Sequence, residues 1–311
     1  MPSISSLKPP RTLRTLFFIF LILSLLLVFF LSNQAEQRNK KALDIELSLS
    51  LANVGKNIDL RIAQMKLIAK SIANDAHINA WVDAGFNVEG ETVLLDKLGF
   101  YVAEYGLTSA SFADKDSHKY WNHEGFLRVL NPDIDTWYFA YLASGDQDLV
   151  SVYHDKNKQR VDLYVNYQQT NGNGLSGIAT PFNGVLANIQ ASMFGQQGDI
   201  FLVDNAGKVQ VHSNSDIAGT QTLQTMYGKE IAAQLLKLNS TQFLDENTLE
   251  YTLLGSSYIP SMNWFLVTEV KKDNVLQTPL TLLKQTWIAL LIGFIAICVV
   301  IVFSLGKRKT L

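Results

Sequence analysis

An acid and two aromatic rings stand within four residues at Asp135-Thr136-Trp137-Tyr138. Flat aromatic walls stack on planar or cationic groups, and a carboxylate beside them pairs with a ligand cation or simply ends a turn. Trp137 and Tyr138 read as neighbours on a strand, where successive side chains point to opposite faces. One then lines a pocket and the other the core, unless both are core. Tyr164 and Asn166 are two apart and share a strand face, offering hydrogen bonds to a ligand or packing to the sheet. Asp114, His118 and Trp121 follow a strand in a polar stretch, read either as a loop over such a pocket or as turn residues. His118 and His123 are five apart, which suits neither one helix face nor one strand face, so no metal is expected even with Asp114, Asp116 and Glu124 nearby. His212, at a strand end, reads as structural. There is no Gly-x-Ser-x-Gly, no phosphate-cradling glycine loop and no His-Glu-x-x-His. These residues therefore point to binding without catalysis and without a cofactor.

The elements that position them follow from periodicity. Leu43, Leu47, Leu51, Val54, Ile58, Ile62, Met65, Ala69 and Ile72 recur in steps of three and four, which predicts one long helix over 42–76. Leu43, Ile45, Leu47, Leu49 and Leu51 also alternate like a strand, and the length of the helical pattern decides between the two. Such a stripe packs on its own domain or on a partner helix in a dimer. Beyond it, 91–104 reads as a helix. Residues 107–113, 137–143, 149–154, 161–168 and 174–180 read as strands separated by turn-rich breaks, hence as an antiparallel sheet. A second set follows: a helix over 183–195, strands over 199–203 and 208–212 around Asp204-Asn205-Ala206-Gly207, a helix over 223–238, and strands over 248–254 and 264–270. The fold class is α+β: a long N-terminal helix and two tandem modules, 77–183 and 184–275.

Two apolar runs flank this body. Residues 16–31 are apolar except Ser24, and residues 287–305 carry no charge. Each matches the roughly 18–20 residues that cross a bilayer core. The expected spans are 15–32 and 286–305, with 33–76 as the long helix between the first span and the modules. The first span reads as an uncleaved signal anchor, since no small-x-small pair follows it as a cleavage site. Lys8, Arg11 and Arg14 precede the first run, and Lys307, Arg308 and Lys309 follow the second. That puts the tails 1–14 and 306–311 on the cytoplasmic side. Between the runs, 28 acidic residues face 20 basic ones, a balance of −8. An acidic body argues against nucleic acid as a partner. The one cysteine, Cys298, lies in the second run, so the body has no disulfide framework.

The order and spacing of three stretches resemble the double Cache family, the PAS-like tandem sensor modules found outside the membrane in bacterial chemoreceptors, histidine kinases and diguanylate cyclases. The first is Asp135-Thr136-Trp137-Tyr138-Phe139. The second is Val161-Asp162-Leu163-Tyr164-Val165-Asn166-Tyr167, leading into Gly174-Leu175-Ser176-Gly177-Ile178-Ala179. The third is Ile200-Phe201-Leu202-Val203-Asp204 with Gly207 and His212. The likeness covers about residues 35–275. It implies two PAS-like modules with antiparallel sheets, a periplasmic location on the bacterial inner membrane, and a ligand in the membrane-distal module, 77–183. In the amino-acid-binding subgroup an arginine stands two residues before the Trp-Tyr pair, and Asp135 takes that place here. The subgroup's preceding tyrosine is Leu130, and its late aspartate is missing around 180–182. The resemblance therefore implies a pocket that favours a cationic or amine-like ligand over the usual carboxylate clamp.

The expected function is a membrane-anchored periplasmic sensor of a small molecule. It passes a ligand-induced shift through the bilayer, as a homodimer or to a separate membrane-bound output protein, because only six residues follow the second run. The alternatives are a membrane-anchored protein-interaction or assembly module and a non-signalling remnant of a truncated receptor.

Overall fold

A computed structural model describes residues 11–155, 160–182, 198–214, 216–237, 242–244, 252–271, 288–289 and 292–293. The helix expected over 183–195 and both terminal tails lie largely or wholly outside these residues, as does most of the second apolar run. The chain divides into two compact units, Met1–Glu46 with Asp273–Leu311, and Leu47–Lys272.

The first helix, α1 (Arg11–Ala73), is 63 residues long, which at 1.5 Å per residue is about 95 Å. Leu47, Leu51, Ile58, Ile62, Met65, Ala69 and Ile72 are buried, while Ile45 and Leu49 are about 60% exposed. A strand would have put all the odd-numbered residues from 43 to 51 on one face, so this exposure pattern is helical. In the first unit, Phe18, Ile19, Ile22, Leu26 and Phe30 are exposed on α1. A side chain on Gly293 would meet Phe20 at 3.8 Å, so the two apolar runs pass beside each other there. Among the described residues no helix is long and apolar enough to cross a membrane. Within the 16–31 run the side chains of residues 16, 17, 25 and 28 lie outside that description.

In the second unit, α1 ends at Ala73, before the expected 76. Asp75 breaks it by capping the next helix, α2 (Ala76–Asp83), through its carboxylate, which accepts from the His77 and Ile78 amides. Helix α3 (Val88–Tyr105) is capped by Asn87 and stopped by Gly106, whose φ of 61° suits glycine. The strands β1 (Ser109–Asp114), β2 (Lys119–Asn122), β3 (Gly125–Val129), β4 (Asp148–Asp155), β5 (Arg160–Gln168) and β6 (Gly174–Pro181) form a six-stranded sheet in the order β3-β2-β1-β6-β5-β4. The strands β7 (Gly198–Val203), β8 (Val209–Val211), β9 (Gln242–Leu244), β10 (Thr252–Ile259) and β11 (Trp264–Lys271) form a five-stranded sheet in the order β8-β7-β11-β10-β9. Among the described residues every strand pairing is antiparallel.

Helix α1 packs on one face of both sheets. Ser176 Oγ of β6 donates to the Ala69 carbonyl at 2.5 Å, and Arg61 reaches Thr180 at 3.2 Å. On the other sheet, the Ser261 amide donates to Asp59 at 2.9 Å, and Gly55 makes room for Ser257.

Three sequence expectations are corrected. Residues 137–143 are not a strand but lie in α4 (Thr136–Ser144). Buried Tyr138 and Tyr141 are three apart, and Gly145 ends the turn with φ 69°, so a helical burial period overrides aromatic strand propensity. The polar stretch after Asp114 is the β2–β3 hairpin. The helix expected over 223–238 is two short ones, α5 (Leu223–Tyr227) and α6 (Lys229–Leu235), divided at Gly228 with φ 86°. Of the strand expected over 248–254, residues 248–251 lie outside the described residues, and the rest falls in β10, with β9 unanticipated beside it.

Candidate binding site on the six-stranded sheet

Register fixes which side chains share the face turned away from α1. One row crosses the sheet as Gln168, Leu175, Ala113, Tyr120 and Arg128, and the next as Asn166, Gly177, Ser111 and Asn122. Tyr164 and Ala179 begin a third. With strands about 4.8 Å apart, each row is a continuous strip. Helix α4 covers the first row: Tyr138 and Tyr141 pack with Ala113, Leu130 and Leu175, and Tyr120, Phe139, Leu142 and Leu149 border them. Gln168 ties that cover down, its amide donating to the carbonyls of Tyr141 and Asp146 at 3.2 and 2.7 Å.

The second row is buried and polar at its centre. Ser111 and Asn166 are each 4% exposed. Ser111 Oγ donates to the Gly177 carbonyl at 2.8 Å. A Cβ on Gly177 would lie 2.6 Å from Asn166 Oδ1 and 3.0 Å from Ser111 Oγ, so glycine leaves the room these two polar side chains occupy. Tyr120 hydrogen-bonds Ser111, and burial pushes its phenol up, against the opposing pull of Ser111 and of Arg128.

Asp135 is buried and does not stand alone. Arg128 reaches across from β3, with Nη2 2.5 Å from Oδ1 and Nε 3.4 Å from Oδ2, and the Asn131 amide donates to Oδ2 at 2.9 Å. The Arg128 hydrogen bond outweighs burial and holds the Asp135 carboxyl below the usual range, with the Asn131 amide adding to it. The protein thus supplies its own cation where a ligand cation was expected. The guanidinium has five N–H groups, and its side chain is 53% exposed. What the pair shows outward is therefore hydrogen-bond donors.

The seven residues singled out from sequence do not all converge. Tyr164 and Asn166 lie on this face. Asp135, Trp137 and Tyr138 come from α4 and its N-cap, not from adjacent strand positions. Tyr138 is fully buried, with its hydroxyl 3.4 Å from His118 Nδ1, while Trp137 is 43% exposed. Burial, reinforced by Asp114 and Asp116, raises the Tyr138 phenol far above its ordinary value. Asp114 is 2% exposed and closes the β1–β2 turn by accepting from the amide and hydroxyl of Ser117. Trp121 points to the opposite face, packed with Trp81, Phe86 and Phe126 at 4.9–5.4 Å and donating to Glu91. It is a core residue. Among the described residues no group of acids, histidines and cysteine could hold a metal. Ser111, Tyr120, Arg128 and Gly177 were missed. Lys119–Asn122 and Gly125–Val129 are two short runs joined by His123-Glu124 with Gly125 beside them, a hairpin signal that would have put Tyr120 and Arg128 opposite each other.

The fold has solved counterparts. The extracellular domain of vpHK1S-Z8, described as a histidine kinase, superposes with a TM-score of 0.61 at 14% identity, covering 76% of this chain and 98% of that one. The ligand-binding domain of the Pseudomonas aeruginosa amino acid chemoreceptor PctC, in complex with GABA, gives 0.55 at 15% identity over 73% and 99%. That of the Pseudomonas fluorescens chemoreceptor CtaA, in complex with L-isoleucine, gives 0.54 at 18% over 77% and 97%. Its fold is that of the Cache-type, PAS-like sensor domains. In sequence, 254 residues align at 23% identity with the methyl-accepting chemotaxis protein McpG of Pseudomonas putida, covering 79% of this chain. The chain spans 38% of that curated relative's length. No family model matches the chain. Within the Cache-type fold, the α4 face of the first module carries the buried polar residues Ser111, Asn166 and Gln168.

Proposed function

We propose that the protein is a membrane-anchored extracytoplasmic sensor, and that its first module takes a small molecule on the α4 face through Arg128, Tyr164, Asn166 and Trp137. The observation that supports this reading is the row Asn166-Gly177-Ser111, which sets small and polar groups at the centre of a sheet face where the second sheet sets Val267 and Phe201. The two apolar runs support anchoring on the bacterial inner membrane with the modules in the periplasm. α1, a single helix from the first run to the sheets, supports transmission of a ligand-induced shift to a membrane-bound output partner.

The charge argument for a cationic or amine-like ligand weakens once Asp135 is neutralised by Arg128. A ligand carrying a carboxylate or another acceptor fits the remaining guanidinium donors better. Thermal unfolding of the full chain with GABA, L-isoleucine and L-serine, and with putrescine as an amine lacking a carboxylate, tests this. The expected result is stabilisation by carboxylate ligands alone. Stabilisation by putrescine alone would restore the acid to the binding role.

A second reading, a protein-interaction module, is favoured by the edge strand β3. Phe126, Leu127 and Val129 are exposed there, and Ile134 nearby is 75% exposed. Crosslinking that captures a specific protein through β3, with no small molecule stabilising the chain, would support it.

A further inference from the structure

The other face of the six-stranded sheet, packed on α1, carries a feature that the α4 face does not explain. From Lys56 to Lys70, α1 has four basic residues, Lys56, Arg61, Lys66 and Lys70, and one acid, Asp59, inside a body that is otherwise acidic. Lys56 pairs with Asp59, and Lys66 with Asp148 of β4. Arg61 donates to the Thr180 hydroxyl, and Lys70 lies 5.9 Å from the centre of the Tyr167 ring. Among the described residues neither Arg61 nor Lys70 has a carboxylate partner. Lys66 and Lys70 are one helical turn apart, so their ammonium groups can converge on one point and repel each other without a counter-charge. Together with Asp148, Gln147, Tyr167 and Ser261 they border an open groove of about 440 Å³. That size falls among small-molecule sites. Asp148 answers only one of the two charges, which leaves the groove net positive.

We propose that this groove binds a small dianion, a dicarboxylate or a phosphate, bridged by Lys66 and Lys70 against the flat wall of Tyr167. The dianion draws Lys66 away from Asp148, its present partner. The groove touches α1, the β4–β5 edge and the Ser261 turn between β10 and β11, so its occupant joins the spine helix to both sheets. This site is separate from the α4 face and stands whether or not that face binds a ligand.

The test is calorimetric titration of the purified full chain with succinate and with inorganic phosphate, using acetate as a monoanion control and putrescine as a cation control. Saturable binding of succinate, phosphate or both, tighter than acetate, is expected; whichever binds identifies the source of the charge. Asp148→Asn removes the acid competing for Lys66 and should tighten binding severalfold. Lys70→Met should weaken it about tenfold, the loss of one charge-assisted contact, while Lys208→Met should change nothing. Absence of saturable binding by both wild type and Asp148→Asn overturns the proposal. So does binding that ignores Lys70→Met and Asp148→Asn. Binding lost in Arg128→Ala but kept in Lys70→Met places the anion on the α4 face and also overturns it.

Discussion

The two sheets share one strand plan and differ in what they place at its centre. In the six-stranded sheet the middle row of the face turned from α1 reads Asn166, Gly177, Ser111 across β5, β6 and β1. At the matching place in the five-stranded sheet, across β10, β11 and β7, it reads Ser256, Val267, Phe201. Phe201 and Val267 belong to a packed cluster with Val203, Val209, Leu223, Leu254 and Phe265, closed by α5 and α6. One sheet keeps its centre small and polar, while the other, Ser256 apart, fills the same space with hydrocarbon. Like scaffolds can thus be assigned to recognition and to support by three positions each.

The largest expected break in this contrast is Phe201→Ala. Phe201 is 1% exposed, so its removal should cost about 3–5 kcal/mol of stability and leave ligand affinity of the folded protein unchanged, as measured by urea unfolding and titration. Gly177→Val makes the polar centre resemble the apolar one. It should lower ligand affinity about a hundredfold, roughly 2.7 kcal/mol, by placing methyl groups against Asn166 and Ser111.

Arg128→Ala leaves the Asp135 carboxylate buried with the Asn131 amide as its remaining partner and should cost about 2 kcal/mol. Its pH signature has a definite sign. The folded Asp135 carboxyl lies below its ordinary 3.8, so its stabilisation is present above that value and is lost as pH falls beneath it. Acid unfolding should therefore begin at higher pH in Arg128→Ala than in the wild type.

The smallest effect is expected in the five-stranded sheet. Burial lowers the His212 imidazole below its ordinary 6.5, against the opposing pull of Asp199 and Glu269. Its Nδ1 accepts from the Asn214 amide at 2.9 Å. The stability it contributes is present above 6.5 and is lost as pH falls through the lowered folded value. The slope should stay under about 1 kcal/mol and disappear in His212→Gln, read by thermal unfolding from pH 7 to 5.

Much of this arrangement was legible in the chain. The stripe from Leu47 to Ile72 announced α1, and the alternation in Val161–Gln168 put Tyr164 and Asn166 on one face, where the structure has them. Local periodicity carried that information. It failed where a tertiary partner decides. Thr136–Ser144 is rich in strand-favouring aromatics, yet packing Tyr138 and Tyr141 over Ala113 and Leu175 requires a helix. Trp121 looked like a ligand residue because it sits in a polar stretch, and only the β2 register turns it toward Trp81. Asp135 looked like a free acid because its partner, Arg128, is seven residues away on a strand that single-sequence reading took for loop.

The central claim is that the α4 face of the six-stranded sheet is the ligand site. The most direct measurement is the ligand-induced rise in melting temperature of the full chain, compared among wild type, Gly177→Val and Phe201→Ala, for whichever probe in the carboxylate and amine panel stabilises the wild type most. The account predicts that Phe201→Ala melts lower but keeps the full rise, while Gly177→Val folds and loses it. A Gly177→Val protein that keeps the rise, or a Phe201→Ala protein that loses it while still folded, would contradict the account.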